Sequence, residues 1–219
     1  MSGRMTGGSS GGGIPPDPDG AEHRTVLSAL GLDPEGAALM QQVHGSRVRL
    51  VAQGGTYPAC DALVTLGRGL PLVVRAADCV PVLFYDPRTP AVGAVHAGWR
   101  GTDAGVTRAA VRMMQEWFGT QCGDLAVFIG PSAGACCYEV GGEVAERFEP
   151  AFRRERGGRH FLDLKGANAA VLLGAGVPPD RIEISPLCTI CRPDLLCSYR
   201  RDGPRAGRMA AVIALSPVR

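Results

Sequence analysis

The feature that most constrains this chain is a succession of short apolar segments in its first half, at 60–65, 70–75, 80–85 and 91–95, each bounded by Gly, Pro or Asp. Segments this short, rich in Val, Leu and Ala and punctuated by turn residues, read as strands rather than helices. Arg47 to Val51 alternates around Val48 and Leu50 and adds a strand just after His44-Gly45, and 124–129, 181–185 and 210–215 supply later ones. Between them the period changes. Val26, Leu27 and Leu30 predict a helix over Ala21 to Leu30 with Gly31 as its stop. Val106, Ala110, Met113 and Trp117 recur at about one helical turn, with Thr102 as the expected N-cap and Gly119 as the stop. Val140, Val144 and Phe148 predict a further helix ending near Pro150, and Asn168 to Leu173 lies in another, with Asp163 as its cap. Strands and helices mix without strict βαβ alternation, so the expected class is α+β: mixed β-sheets forming a central sandwich-like core flanked by helices.

A chain of 219 residues fits one domain, and at that size roughly 70% of the extended chain's surface can be buried without covalent staples. Residues 1–20, dominated by Gly, Ser, Pro and Asp, cannot offset the entropy of ordering and are expected to be a flexible segment, leaving 21–219 as the single catalytic domain. Cysteines at 60, 79, 122, 136, 137, 188, 191 and 197 could suggest an oxidised framework, but MSGRMTGGSSGGG lacks the apolar stretch of a signal peptide. The thiols are therefore expected to be reduced and the protein cytoplasmic. No apolar run reaches a membrane span, and a net charge of +2 with no basic stripe argues against nucleic acid. Small molecules are the expected partners and a monomer the expected state.

The chemistry concentrates in Ala76 to Thr102, AADCVPVLFYDPRTPAVGAVHAGWRGT. Cys79 opens one apolar run and His96 closes the next, so two joined strands would bring a thiol and an imidazole to the rim of a sheet. His44 is a third candidate upstream. Isolated cysteines and histidines are commonly just buried and satisfied, and spacing alone leaves that alternative open.

QQVHG, CDALVT, AADCVPVLFYDP, AVHAGWRGT, IGPSAGACCYEVG, FLDL and SYRRDG, in this order, resemble the laccase-domain family, once called polyphenol oxidases and now regarded as purine nucleoside phosphorylases. The likeness runs from Gln41 to the C-terminus; upstream, Arg4 and Gly7-Gly8-Ser9 match one family element, whereas an Asn-Leu-Gly segment is missing. The resemblance implies that His44, Cys79 and His96 hold one metal, two imidazoles and a thiolate leaving the fourth tetrahedral position that catalytic zinc requires. Zinc is expected rather than copper, because multicopper oxidation would need many more histidines than the four present.

The resemblance further implies phosphorolysis of adenosine, inosine or methylthioadenosine to base and ribose 1-phosphate, with adenosine deamination as a companion activity. Zinc would orient phosphate or lower the pKa of water. Purine nucleosides and phosphate are then the substrates. Arg47, Arg75 and Arg100 are the cations nearest the ligands in sequence; Arg100, just after His96 and at the start of the Thr102 helix, is the expected phosphate partner, with Arg47 next. The resemblance places Cys136 to Glu139 at the substrate, where Tyr138 would stack on a purine and Glu139 exchange protons with it, the alternative being a turn with ordinary packing. Asp78, read as lying in a strand and pointing away from Cys79, either orients the thiolate or makes a structural hydrogen bond. Cys188-Thr189-Ile190-Cys191 has metal or redox spacing, but with no second such pair in sequence the expectation is plain thiols. Three rivals stand beside this reading: a Cys-His hydrolase with Cys79 as nucleophile and His96 or His44 as base, a copper-dependent polyphenol oxidase, and a non-enzymatic metal-storing or partner-binding protein.

Overall fold

The computed structural model describes residues 21–216. In chain order, helix α1 (Ala21–Ala29) leads into β1 (Ala38–Met40), β2 (Val48–Leu50), β3 (Gly55–Tyr57), β4 (Ala62–Thr65), β5 (Leu72–Ala76), β6 (Val80–Asp86) and β7 (Ala91–Ala97). Then follow α2 (Trp99–Asp103), α3 (Val106–Phe118), β8 (Ala126–Ile129), β9 (Glu139–Val140), α4 (Gly142–Ala145), β10 (Arg153–Arg156), β11 (Arg159–Leu162), α5 (Leu164–Gly174), β12 (Ile182–Ile184), α6 (Tyr199–Asp202) and β13 (Met209–Ile213). The flexible segment expected over residues 1–20, with Arg4 and Gly7-Gly8-Ser9, lies outside the described residues.

A six-stranded sheet, in the order β12-β8-β6-β7-β4-β2, faces a four-stranded sheet ordered β13-β5-β1-β3. Strand alternation explains how they stack: Leu63 points between the sheets, whereas its neighbours Ala62 and Val64 point to the opposite face. Leu72, Val74, Val92 and Ala94 join Leu63 in the layer between the sheets. Val80, Val82, Phe84 and Val95 line the outer face of the six-stranded sheet against Val106, Ala110 and Met114 of α3 and Leu172 of α5. On the far face of the four-stranded sheet, Val73 packs on Leu27 of α1. The result is two mixed sheets between helices, the α+β sandwich that the segment pattern predicts. Among the described residues, no helix is long and apolar enough to cross a membrane.

The helices depart from expectation in instructive ways. The segment after His96 is two helices, broken at Ala104-Gly105, where Gly105 has φ +79°. Thr102 is therefore not an N-cap; it lies inside α2, and its hydroxyl accepts a hydrogen bond from Asn168 Nδ2 at 3.0 Å. The buried face of α3 is Val106, Thr107, Ala110, Val111 and Met114, leaving Trp117 64% exposed. Apolar counting misplaced that face because Thr107 is drawn inward by its hydroxyl bond to Asn168 Oδ1. The helix expected over Val140 to Phe148 shrinks to α4, since Val140 is taken by the β9–β11 ladder. Gly119 and Asp163 act as expected: Gly119 ends α3 in the left-handed region, and Asp163 accepts from Gly166 N at the start of α5.

Candidate metal centre

Strand pairing assembles the centre. β4 and β7 are antiparallel with Ala62 opposite Val95, so one further step sets Asp61 opposite His96, and His96 N donates to Asp61 O at 2.8 Å. β6 and β7 are antiparallel with Val80 opposite Ala97, so the same extension brings Cys79 beside Gly98. His44 arrives from the crossover between β1 of the four-stranded sheet and β2 of the six-stranded one. Two residues earlier, Gln42 fixes the start of that crossover by bonding both backbone groups of Arg75, at 2.8 and 2.9 Å.

Asp61 is fully buried and holds the arrangement together. Its carboxylate accepts from the amides of Val43, His44 and Gly45, at 3.2, 2.9 and 2.7 Å, and pairs with His96 Nδ1 at 2.9 Å. Burial pushes the Asp61 carboxyl upward, but these bonds outweigh it and hold the group below the usual carboxylate range. The same carboxylate turns His44 into the left-handed region, φ +59°, a conformation that needs such support in a non-glycine residue. It also fixes the His96 ring so that Nε2, buried and without a hydrogen-bond partner, faces the other two donors. The donor atoms of His44, Cys79 and His96 all lie within 4.8 Å of one another.

A buried, orphaned imidazole nitrogen beside a thiol and a second imidazole fits a metal ion. Carboxylate orientation of the far ring nitrogen is the usual support for a histidine ligand, and the nitrogen and sulfur donors suit zinc. Burial opposes ionisation at both Cys79 and His96, yet their mutual attraction, with hydrogen bonding from His44 and Asp61, moves the thiol down to about 6 and the imidazole up to about 9, so without a metal the two form a thiolate–imidazolium pair whose Nε2 proton a metal ion would displace. Cys79 thus offers a thiolate at neutral pH. His23 and His160 belong to neither group of metal-capable side chains, so the residues suit a mononuclear site rather than a multicopper cluster.

Space for the ligands is made by glycine. A β-carbon on Gly98 would lie 3.0 Å from Cys79 Sγ and 3.1 Å from His44 Cδ2, and one on Gly101 would lie 2.9 Å from the Gly45 carbonyl oxygen. Asp78, expected in a strand, is instead in a bend with φ +92°. Its carboxylate accepts from Thr189 Oγ1 and from Arg200 N, both at 2.6 Å, and its carbonyl accepts from Ala133 N at 2.9 Å. Asp78 therefore ties two later loops to the backbone beside Cys79.

Of the other expected residues, Tyr138 is near enough to feel the Cys79 charge. Burial, and then the Cys79 charge, push its phenol far above the ordinary value, while Arg200 and Arg100 act in the opposite sense. The Arg200 guanidinium stands 5.3 Å from the Tyr138 ring centroid, and that of Arg100, exposed, lies 4.3 Å over the Trp99 ring. Arg47 is exposed near Cys60, and Arg75 is the residue gripped by Gln42. The Glu139 carboxylate pairs with Arg159 across the β9–β11 ladder at 3.3 Å. The helix that begins beside His96 is only the short α2, so a long helix does not start here to present its amides to an anion. Asp61, Gln42, Thr189 and Arg200 have structural roles at the site that motif reading left unassigned. Asp61 did have a signal: it immediately precedes an apolar strand that must pair with the strand carrying His96.

The family described as multi-copper polyphenol oxidoreductase laccase matches residues 20–216. The chain belongs to this laccase-type family. Its relatives include a purine nucleoside phosphorylase of Deinococcus radiodurans, 40% identical over 89% of this chain and 77% of the relative, and one of Bacteroides thetaiotaomicron, 40% identical over 71% of this chain. The match spans only 60% of the Bacteroides protein's length. A relative named adenosine deaminase RL5, from an unknown prokaryotic organism, is 34% identical over 84% of this chain and 77% of its own. Among solved structures, YlmD from Geobacillus stearothermophilus superposes with a TM-score of 0.84 at 36% identity, covering 89% of this chain and 78% of that one.

Proposed function

We propose that this laccase-type chain is a zinc-dependent enzyme of purine nucleosides, cleaving adenosine, inosine or methylthioadenosine with phosphate to free base and ribose 1-phosphate, and also deaminating adenosine. The observation that carries the reading is the orphaned Nε2 of His96, aimed at Cys79 and His44 by the Asp61 carboxylate. The names of the relatives supply the substrate class. When bound, a zinc ion supplies Lewis-acid polarisation of the oxygen nucleophile, phosphate or water.

The chain's own residues do the rest. His44, Cys79 and His96 would hold the ion, and Asp61, by accepting from His96 Nδ1, leaves the Nε2 proton as the one a metal would displace. Tyr138, kept protonated, is a neutral hydrogen-bond donor whose ring offers a face to a purine. Arg100 and Arg200 both act electrostatically on Tyr138 and are the cations for phosphate; Arg47 stands further out. Glu139 meets the base and exchanges protons with it once its exposed pair with Arg159 opens, at little cost. The reaction belongs in the cytoplasm, where these thiols stay reduced.

One observation favours a second reading. Cys79, His96 and Asp61 in line, with a depressed thiol, also have the order of a Cys-His-Asp nucleophile relay. Metal analysis combined with nucleoside turnover, with and without phosphate, separates the two. On the proposed reading, Cys79→Ala loses the metal of this centre and all turnover, and zinc restores activity to chelator-treated wild type. Full turnover in metal-free protein would establish the cysteine hydrolase instead.

A further inference from the structure

A second group of donors lies outside the centre described above. Cys188 and Cys191, which have no companion pair nearby in sequence, are met in space by Cys136 and Cys137, and the four sulfurs all lie within 4.8 Å of one another. Cys191 Sγ is 3.6 Å from Cys136 Sγ and 3.2 Å from Cys137 Sγ. Four thiolates around zinc at about 2.3 Å would stand about 3.8 Å apart along the edges of a tetrahedron, so small side-chain shifts complete the geometry. We propose that Cys136, Cys137, Cys188 and Cys191 form a tetrathiolate zinc site that fastens to each other the two loops carrying these cysteines.

The backbone is arranged for it. Gly134 N donates to Cys188 Sγ at 3.3 Å, and the amides of Ile190 and Cys191 also bond this sulfur, which is how a Cys-x-x-Cys turn supports a metal-bound thiolate. A β-carbon on Gly134 would lie 3.3 Å from Cys136 Sγ and 3.6 Å from Cys188 Sγ, so glycine leaves the sulfurs their room. The Cys-x-x-Cys turn is held from behind by Arg201, whose guanidinium donates to Thr189 O at 2.7 Å. Positive charge is at hand for a doubly negative zinc–thiolate group: Lys165 feels Cys188 and Cys136, and Arg156 donates to Cys136 O at 2.6 Å. Four sulfurs and no other ligand type suit zinc, and the mass of the bound ion tells it from iron, which takes the same donor set.

The site would act by position. Cys137 immediately precedes Tyr138, and Thr189, between the paired cysteines, donates to Asp78 beside Cys79. Ser132 and Cys188 already form a bridge, so the zinc would close a link that starts in the backbone. It does not depend on the nucleoside reading, since any chemistry at Cys79 would use the same two loops.

The test is zinc per chain, by mass spectrometry of the full chain purified under reducing conditions. Wild type should hold two, Cys79→Ala one, Cys191→Ser one, and the double variant none. Because Cys191→Ser can fail by misfolding, Cys79→Ala loaded with cobalt gives an independent reading: all four cysteines of this site remain, and an intense sulfur-to-cobalt charge-transfer band should appear. Alkylation supplies a third. Cys136 and Cys191 are exposed and would react first as free thiols, so zinc should protect both and a chelator should release them. One zinc in wild type that vanishes in Cys79→Ala, no charge-transfer band, or immediate alkylation in zinc-loaded protein would each overturn the proposal. So would a Cys137–Cys191 disulfide in its place.

Discussion

Asp61 shows how much one buried carboxylate can organise. Asn at this position keeps one acceptor oxygen against four donors, so Asp61→Asn should cost about 2–3 kcal/mol of stability and weaken metal binding by about 10-fold to 100-fold. The pH dependence has a definite sign. Because the folded carboxyl lies below its unfolded value, its contribution is complete above the unfolded value near 4 and is lost as pH falls through the lower folded value. Urea titrations below pH 5 should show a steeper acid loss in wild type than in Asp61→Asn, and parallel curves would mean that the carboxylate is not the coupling group. Arg100 belongs to the same scale. If it holds phosphate, Arg100→Ala should lower phosphorolysis by about 10-fold to 150-fold, the equivalent of about 1.5–3 kcal/mol, and leave deamination and zinc nearly unchanged. Arg100→Lys should recover part, since it keeps charge without the planar fork. Parallel loss of both activities would make Arg100 a structural residue; no loss would pass the role to Arg200 or Arg47. The three candidate ligands were legible because thiol and imidazole are metal-binding side chains within matched motifs, whereas Asp61 and Arg200, though within such motifs too, act through contacts across 16 to 122 residues of chain that only the fold brings together.

Legibility differs by element for physical reasons. β4 to β7 were readable because both faces are buried, which forces continuous apolar runs. β10 and β11 were not, since Arg153 to Arg156 is polar and mostly exposed, although Gly157-Gly158, both at positive φ, is a hairpin signal. The α2–α3 break was hidden because Thr102 has the chemistry of an N-cap, whereas the apolar period itself begins only at Val106, after Gly105. Two glycines here make contrasting tests. Gly98 has an ordinary backbone, φ −73°, but no room, so Gly98→Ala should push on Cys79 and His44 and lower zinc affinity at least about 10-fold with little change in the melting of the metal-free protein. Gly105 has room but φ +79°, so Gly105→Ala should cost about 1–2 kcal/mol of stability and leave zinc affinity alone. Calorimetry and zinc titration on both variants check this, and an interchange of the two effects would contradict the assigned roles.

At the scale of the whole molecule, the candidate metal centre sits where the two sheets are joined. His44 lies in the crossover from the four-stranded sheet to the six-stranded sheet, while Cys79 and His96 belong to neighbouring strand ends of the latter. A metal bound to all three would therefore tie the crossover to the sheet that Asp61 already grips. Unfolding separates these segments, so an ion that binds only the folded chain stabilises it by mass action, by about 4 kcal/mol at roughly 1,000 times its dissociation constant. For a chain of this size that corresponds to a melting shift of about 8–16 °C. The difference between wild type and Cys79→Ala, each measured with zinc and with chelator, isolates the contribution of this centre from any other zinc. Hydrogen exchange then locates it. The amides of Val43, His44 and Gly45 bond to Asp61 and should exchange faster when the ion is removed from wild type, whereas those in the middle of β6 and β7, held by ladders on both sides, should not change. Loss of protection throughout β6 and β7 would instead mean that the ion supports the whole sandwich, and an unchanged crossover together with an unchanged melting temperature would remove His44 from the ligand set.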